Sequence, residues 1–315
     1  MSFEDDFVES DDYLHPAGTH PWAVETWWFS FFVPERQLGG WLYALVRPNQ
    51  GASAGGAWIW DGSGVEPREA PYFAHYTALP TRLARASANP LDFPSGYQVS
   101  VVAPGREYRI TYADEAAGVS LSLRFTATMP PFGHKDKQPP FDESAHFDQS
   151  GRVTGTLHLR GEDLAVDCYA FRDRSWGLRS ERVPPRFSYC WMAREDESFL
   201  LYATRDERPL PIVRGFLHRD GITRPVVSGS RSETRLPDAN WVQTIEVAAT
   251  DDEGRSIGGT ARAVSRLCHP RPTSTNVISL LEWDLGGVQC WGEDQDVWSH
   301  QDWQQSLAEN GRGDG

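Results

Sequence analysis

The sequence contains almost no lysine. Among its 315 residues only Lys135 and Lys137 are lysines, and both lie in a polar segment flanked by prolines. A Schiff-base mechanism needs a lysine that is desolvated in a pocket, so this composition disfavours pyridoxal and related imine chemistry. Cysteine is also scarce, and the four cysteines form no Cys-x-x-Cys motif. Three of them stand in apolar, strand-like segments, so we expect buried free thiols at Cys168, Cys190, Cys268 and Cys290.

Positive charge is in short supply. The sequence contains 30 Lys and Arg residues but 44 Asp and Glu residues, which gives a net charge of −14. Nucleic acids and anionic membranes both need a basic protein face, so we expect neither as a partner. No apolar run approaches the length of a membrane span, and the acidic N-terminus lacks the features of a signal peptide. We therefore expect a cytoplasmic monomer or homodimer without membrane insertion.

Several familiar catalytic motifs are missing from the sequence. It contains no GxGxxG opening a helix, no GxxxxGK[ST], no GxSxG and no HExxH. The 9 histidines show no metal-ligand pairing at i, i+2 or i, i+4. A zinc site built on His15 and His20 would need further ligands that the sequence does not indicate. We expect neither a metal nor a cofactor.

Short aromatic and apolar runs are the main feature of the sequence. Aromatic residues make up 12% of it, and 13 of them are tryptophans. Pro, Gly, Asn or Asp interrupts these runs, and no helical period lies between them. The pattern predicts an all-β protein built of sandwiches or barrels, with one short helix or a frayed tail from Gln301. The predicted strands cover residues 24–33, 40–47, 57–62, 72–77, 97–102, 106–113, 119–127, 152–159, 164–171, 186–193, 198–205, 212–218, 241–249, 257–264 and 276–284.

The chain also suggests two domains. Residues 129–140 are polar and rich in proline, which indicates a boundary between an N-terminal domain, 1–140, and a C-terminal domain, 141–315. Residues 27–47 and 189–205 both contain an aromatic strand, an acidic turn and a Leu-Tyr-Ala segment. This similarity favours a duplication of one β unit.

The most unusual stretch runs from Arg172 to Arg179, Arg-Asp-Arg-Ser-Trp-Gly-Leu-Arg. Guanidinium groups and a carboxylate can bind one another firmly, and Trp176 offers a rigid wall with one N–H donor. Gly177 allows a sharp turn. Two interpretations stay open: a buried Arg–Asp clasp that joins two β units, or a functional site.

Carboxyl groups in aromatic surroundings suit acid–base chemistry, because a poorly solvated acid keeps its proton near neutral pH. Glu25 precedes two tryptophans, Asp173 precedes Trp176, and Glu282 adjoins Trp283. Glu25 and Glu282 could equally be strand-end residues that face water. If the flanking arginines pair with Asp173, its pKa falls and it serves as a positioning group or a base.

Histidines and further aromatic residues supply the remaining candidates. His75 and His146 each stand among aromatic residues and could shuttle protons, or could be hydrogen-bonded structural residues. The aromatic residues could line a ligand cavity or fill the core.

Three segments together suggest a family. Residues 25–29, residues 146–155 and residues 172–179 resemble the superfamily of hydroxyneurosporene synthase (carotenoid 1,2-hydratase) and AttH-like proteins. The Asp-Arg-Ser-Trp-Gly-x-Arg run is closer to a bacterial branch than to the carotenoid enzymes, which tend to carry a His and an acidic residue where this chain has Arg174 and Ser175. The resemblance implies tandem lipocalin-like (calycin-type) antiparallel β-barrels, side by side, with a ligand cavity at or between them.

These observations lead us to expect a cofactor-independent lyase or isomerase, hydratase- or cyclase-like, acting on a hydrophobic molecule such as an isoprenoid. Asp173 and Arg179 would anchor the substrate, and Glu25 or His146 would transfer the proton. The expected substrate-binding residues are Trp27, Trp28, His75, Trp176, Tyr189, Trp191 and Trp283. The alternatives are a non-catalytic lipocalin-like binding protein and a pericyclase that only shapes its substrate.

Overall fold

The computed structural model describes residues 7–16, 18–81, 89–134, 144–178, 186–204, 209–237, 239–271 and 274–310. The chain divides into two compact units: residues 1–59 with 71–180 form the first, and residues 60–70 with 181–315 form the second. Regular structure is almost entirely β-strand, which confirms the all-β class expected from the short aromatic runs. Within the described ranges, no helix is long and apolar enough to cross a membrane.

The first unit contains one large antiparallel sheet, whose strands follow the order β4-β3-β2-β1-β11-β10-β8-β7-β6-β5, with β9 beside β10. Short 3₁₀ segments cover Glu9–Asp12, Pro34–Arg36 and Pro48–Gln50. The strands are β1 Ala23–Val33, β2 Leu38–Arg47, β3 Ala52–Trp60, β4 Tyr72–Pro80, β5 Leu91–Asp92, β6 Tyr97–Ala103, β7 Glu107–Asp114, β8 Val119–Ala127, β9 Phe132–His134, β10 Ser144–Leu159 and β11 Glu162–Leu178.

This sheet curls around its own core. The ring of Phe29 on β1 lies 5.7 Å from that of Tyr108 on β7 and 5.6 Å from that of Phe125 on β8. Near one sheet edge, the Tyr72 hydroxyl on β4 donates a 2.7 Å hydrogen bond to Asp114 on β7. The sheet therefore has an inner face, which carries Phe29, and an opposite outer face. Buried aromatic and aliphatic side chains fill the inner side.

The second unit contains a closed barrel of eight antiparallel strands, β12 to β19. Alternate side chains point inward and form a hydrophobic core that includes Met192, Phe199, Leu281 and Trp283. The strands are β12 Phe187–Ala193, β13 Glu197–Thr204, β14 Leu210–Arg219, β15 Ile222–Arg235, β16 Val242–Asp251, β17 Ser256–Pro270, β18 Ser274–Asp284 and β19 Gln289–Ser299, followed by the helix α1 His300–Asn310.

Two features differ from the sequence-based expectations. Strand β10 pairs with β8 and β11 pairs with β1, so both belong to the first unit, and the expected boundary at residue 140 lies inside that unit. The predicted strand 164–171 ended before the Arg-Asp-Arg-Ser-Trp-Gly motif, but β11 continues through the motif to Leu178. The reason is that strands on both sides supply pairing partners along the whole motif.

Candidate active site

Strand alternation divides the motif between the two faces of the sheet. Strand β1 pairs with β11, so that Trp27 lies directly opposite Arg174 and Trp28 lies directly opposite Asp173. Since neighbouring residues of a strand point to opposite faces, each face receives only part of the motif. The inner face receives Arg172, Arg174 and Trp176, and the outer face receives Asp173 and Ser175.

On the inner face, Arg172 binds the N-terminal segment. Its Nη1 donates to Asp12 Oδ1 at 2.9 Å, and its Nε donates to Gln149 Oε1 at 2.7 Å. The other carboxylate oxygen of Asp12 accepts from the Tyr108 hydroxyl and from the Gly105 N–H, both at 2.6 Å. Arg172 and Asp12 are each 1% exposed, so this is a buried, fully hydrogen-bonded ion pair.

Arg174 makes a second connection on the same face. Its Nη2 donates to Glu25 Oε2 at 2.9 Å and to the Tyr13 carbonyl at 2.5 Å, and its Nε donates to the Asp11 carbonyl at 3.2 Å. The guanidinium lies 3.8 Å from the centre of the Trp27 ring, a cation–π contact. Burial lowers the pKa of Arg174, and the charge of Glu25 opposes this effect.

His15 completes the attachment of the N-terminal segment. Its backbone N–H donates to Glu25 Oε1 at 2.6 Å, and its ring Nε2 lies 3.2 Å from Asp11 Oδ1. The ring stacks on Trp176 at 4.2 Å. Burial lowers the pKa of His15, but the hydrogen bonds to Asp11 and Glu25 outweigh it, so the pKa is raised overall.

The inner face therefore contains a clasp of buried Arg–carboxylate pairs, but it holds the N-terminal segment to the sheet and does not join two β units, as the interpretation from the sequence had it. The two arginines hold Asp12 and Glu25 rather than the Asp173 between them, because Asp173 points the other way. Of the candidate residues, Glu25, Trp27 and Trp176 belong to this clasp and lie on the opposite face from Asp173. Arg179 lies outside the described residues.

The outer face carries a compact ionisable cluster. His146 Nε2 lies 3.1 Å from Asp148 Oδ1, and His146 Nδ1 lies 2.7 Å from the Ser175 hydroxyl. Asp148 is directly opposite Asp173 on the neighbouring strand. One ligand atom from each of His146, Asp148 and Asp173 falls within a mutual distance of 4.8 Å. Asp148 and His146 are 0% and 3% exposed, whereas Asp173 is half-buried.

This arrangement suits proton exchange. Two negatively charged carboxylates this close repel each other, and a proton or a cation bound between them would relieve the repulsion. The spacing could hold a metal ion, although the sequence argument, which considered only histidine spacing, expected none. The distances from Ser175 to His146 and from His146 to Asp148 also resemble those of a catalytic triad. Ser175 is only 1% exposed, so its hydroxyl serves the histidine rather than a substrate.

Aromatic rings extend from this cluster along the outer face. Trp28 is directly opposite Asp173, and its ring lies 5.2 Å from that of Trp41. Trp58 continues the series at 5.3 Å from Trp41 and lies 5.4 Å from the half-buried His75 ring. Of the expected substrate-binding residues, Trp28 and His75 thus share a face with Asp173.

Trp27 and Trp176 lie on the inner face, and the remaining three expected substrate-binding residues belong to the second unit. Trp283 lies inside the barrel core, where its ring packs on Phe199 at 5.2 Å. Tyr189 and Trp191 alternate with the inward-pointing Cys190 and so face outward, both buried. Glu282, the third carboxylate, pairs with an exposed arginine on the barrel surface.

Sequence reasoning missed two members of the outer cluster, Asp148 and Ser175. A detectable signal existed for both, because Asp148 follows His146 by two residues and Ser175 follows Asp173 by two residues. In a strand this spacing puts both side chains of each pair on one face.

Solved structures with the same fold include three informative examples. A protein assigned to AttH from Nitrosomonas europaea has a TM-score of 0.58 at 13% identity and covers 92% of this chain and 95% of its own. Kievitone hydratase from Nectria haematococca has a TM-score of 0.53 at 9% identity, with 93% and 94% covered. CghA with Sch210972 has a TM-score of 0.54 at 13% identity, with 88% of each chain covered.

These similarities concern the fold, since the identities are low. No protein with a curated description matches the sequence. A family model described as a domain of unknown function, DUF7064, matches residues 8–303, and the chain therefore belongs to the DUF7064 family.

Proposed function

We propose that this protein is a hydratase- or cyclase-like lyase or isomerase that converts a hydrophobic small molecule by acid–base chemistry at Asp173, without a cofactor. The observation that carries the proposal is the pair of opposed carboxylates, Asp148 and Asp173, beside His146 on an aromatic face. Asp173 is the half-buried member, so it is the carboxyl that a substrate can reach. The fold shared with a protein named kievitone hydratase supports the same reaction class.

In the proposed reaction Asp173 begins as a carboxylic acid and donates its proton to an alkene or a conjugated carbonyl group of the substrate. The cation that forms is stabilised by aromatic faces and by the carboxylates. Water then adds to the cation, or a neighbouring C–H loses a proton, and in either case one proton returns to Asp173. Atoms and charge balance over the cycle, and no oxidant or reductant is needed.

The decisive variant is Asp173→Asn, which keeps the shape of the side chain and removes the transferable proton. Ligands are first found by tryptophan quenching in a screen of apolar compounds, and product formation is then followed by mass spectrometry. We expect Asp173→Asn to retain ligand binding and to lose turnover by about 10²- to 10⁴-fold, the usual contribution of a general acid.

Asp167→Asn is the matched control, because Asp167 lies on the same strand but pairs with Arg152 at an exposed position. It should behave like the wild type. Turnover that survives in Asp173→Asn contradicts the proposal.

The burial of His146 and Asp148 also fits a purely structural hydrogen-bond network in a binding protein. That function predicts a different result for the same variant. Asp173→Asn would then lower the melting temperature while the folded fraction bound ligand normally, and no compound that quenches the tryptophans would be converted.

A further inference from the structure

The outer cluster contains a hydroxyl group that no acid–base step has used. Ser175 Oγ lies 2.7 Å from His146 Nδ1, and the backbone N–H of Ser175 donates to Thr26 Oγ1 at 3.1 Å. Both side chains are 1% exposed, so Ser175 is fixed between two strands. A buried hydroxyl held in this way has few alternative orientations.

The two ring nitrogens of His146 have different neighbours, and these neighbours favour one tautomer over the other. An ionised carboxylate can only accept hydrogen bonds, so the nitrogen facing Asp148, Nε2, carries a proton. In the neutral imidazole Nδ1 is then an acceptor, and the Ser175 hydroxyl can donate to it. The ring is thus held at both ends, by Ser175 on β11 and by Asp148 on β10.

We propose that Ser175 is a positioning residue that holds His146 as its Nε2–H tautomer, directed at Asp148. This inference rests on the proposed function and assigns a role within the same site. The hydrogen bonds to Ser175 and Asp148 thereby fix the imidazole beside Asp173, the half-buried carboxyl of the cluster. Ser175 acts through His146 and Asp148, not on the substrate.

The tautomer is measured by NMR on the full-length protein with ¹⁵N-labelled histidine, where long-range ¹H–¹⁵N correlations identify the protonated ring nitrogen. His146→Gln assigns the His146 signals among the nine histidines. We expect Nε2–H with a hydrogen-bonded Nδ1 in the wild type. In Ser175→Ala the Nε2–H proton should exchange with solvent about tenfold faster, the factor that loss of one buried hydrogen bond produces.

Two further variants separate positioning from simple destabilisation. Ser175→Thr keeps the hydroxyl and should restore slow exchange. Ser30→Ala removes another buried hydroxyl of the outer face, which bonds the backbone of Phe171 at 3.0 Å and 3.1 Å. It should lower stability comparably and leave the His146 signals unchanged.

Two results would overturn the inference: an Nδ1–H tautomer in the wild type, or unchanged His146 tautomer and exchange in Ser175→Ala. Neither result depends on a substrate, so both are distinct from failure of the proposed function, which is judged by turnover of Asp173→Asn. Once a substrate is found, Ser175→Ala should lower kcat without raising KM, and Ser175→Thr should recover kcat.

Discussion

At the scale of single residues, the inner face of the first unit depends on buried charges that are matched one by one. Arg172 is neutralised by Asp12, and Arg174 by Glu25, with every pair nearly inaccessible to water. Transfer of such groups from water is costly, so each ion pair is stabilising only while both members are present. The clasp is therefore far more sensitive to the loss of one partner than an exposed ion pair is.

Asp12→Ala tests this dependence. It leaves the Arg172 guanidinium buried without a counter-charge, so we expect the free energy of unfolding to fall by about 3–5 kcal/mol. Asp167→Ala, which breaks the exposed pair with Arg152, should cost less than about 1 kcal/mol. Urea unfolding followed by circular dichroism measures both values, and similar losses in the two variants would contradict the interpretation.

His15 gives the clasp a pH dependence with a definite sign. Its pKa is raised above the ordinary value of 6.5, so the folded protein binds the proton more tightly than the unfolded chain does. The stabilisation is complete below about pH 6.5 and is lost as the pH rises through the raised pKa. We expect the urea midpoint of the wild type to fall over this range relative to that of His15→Gln. Parallel pH profiles of the two proteins would show that His15 does not contribute.

Sequence alone could predict part of this residue-level arrangement. The motif around Asp173 and the position of His146 were recognisable, and the alternation of a strand implies which motif residues share a face. The partners of the arginines could not be predicted, because Asp12 precedes Arg172 by 160 residues. Only strand order and register, which place the N-terminal segment across β11, determine that contact.

At the scale of elements, the long hairpin formed by β10 and β11 organises the first unit. The two strands pair with each other from Ser144 to Leu159 and from Glu162 to Gly177, and each also pairs with a further strand. Both the clasp and the outer cluster are built on this hairpin. Its geometry therefore controls the position of His146 and Asp148 relative to Asp173.

Substitution of Gly155 in β10 tests how closely the hairpin packs against the neighbouring strand β8. Its φ is +150°, and an added Cβ would lie 2.1 Å from the backbone carbonyl oxygen of Ser122 on β8. Gly161, in the hairpin turn, has a φ of +81° and no atom within 4 Å of such a Cβ. Both substitutions to alanine incur backbone strain of about 1–2 kcal/mol, and Gly155→Ala should cost about 1–3 kcal/mol more because a backbone atom must move. Equal urea midpoints for the two variants would show that β8 moves away from the added Cβ without loss of stability.

At the scale of the whole molecule, strand order and not local composition determines which strands form each unit. The proline-rich segment near residue 140 had every property of a domain boundary, yet the strands that follow it return to the first sheet. Proline and glycine reveal where a strand ends but not which sheet the next strand joins. The all-β class was therefore predictable from the short, interrupted aromatic runs, whereas the division into units required the pairing of β11 with β1.

The four cysteines test the packing of both units at once. All are free thiols; Cys168 lies in the first unit and Cys190, Cys268 and Cys290 lie in the second. Burial raises the pKa of Cys168 to about 12 and those of Cys268 and Cys290 to about 11, which keeps the reactive thiolate scarce. The native protein should thus react with a disulfide reagent at pH 8 at least about 10²-fold more slowly than the urea-unfolded chain, in which all four thiols titrate.

Because the thiols ionise more readily in the unfolded chain, they also link stability to alkaline pH. Their contribution is complete below about pH 9 and is lost as the pH rises toward 11–12. Cys168→Ala should reduce this loss in part, because burial raises the pKa of Cys168 further than those of Cys268 and Cys290. Rapid labelling of any thiol without urea would mean that the unit containing it opens locally, and mass mapping of the labelled cysteine would identify which one.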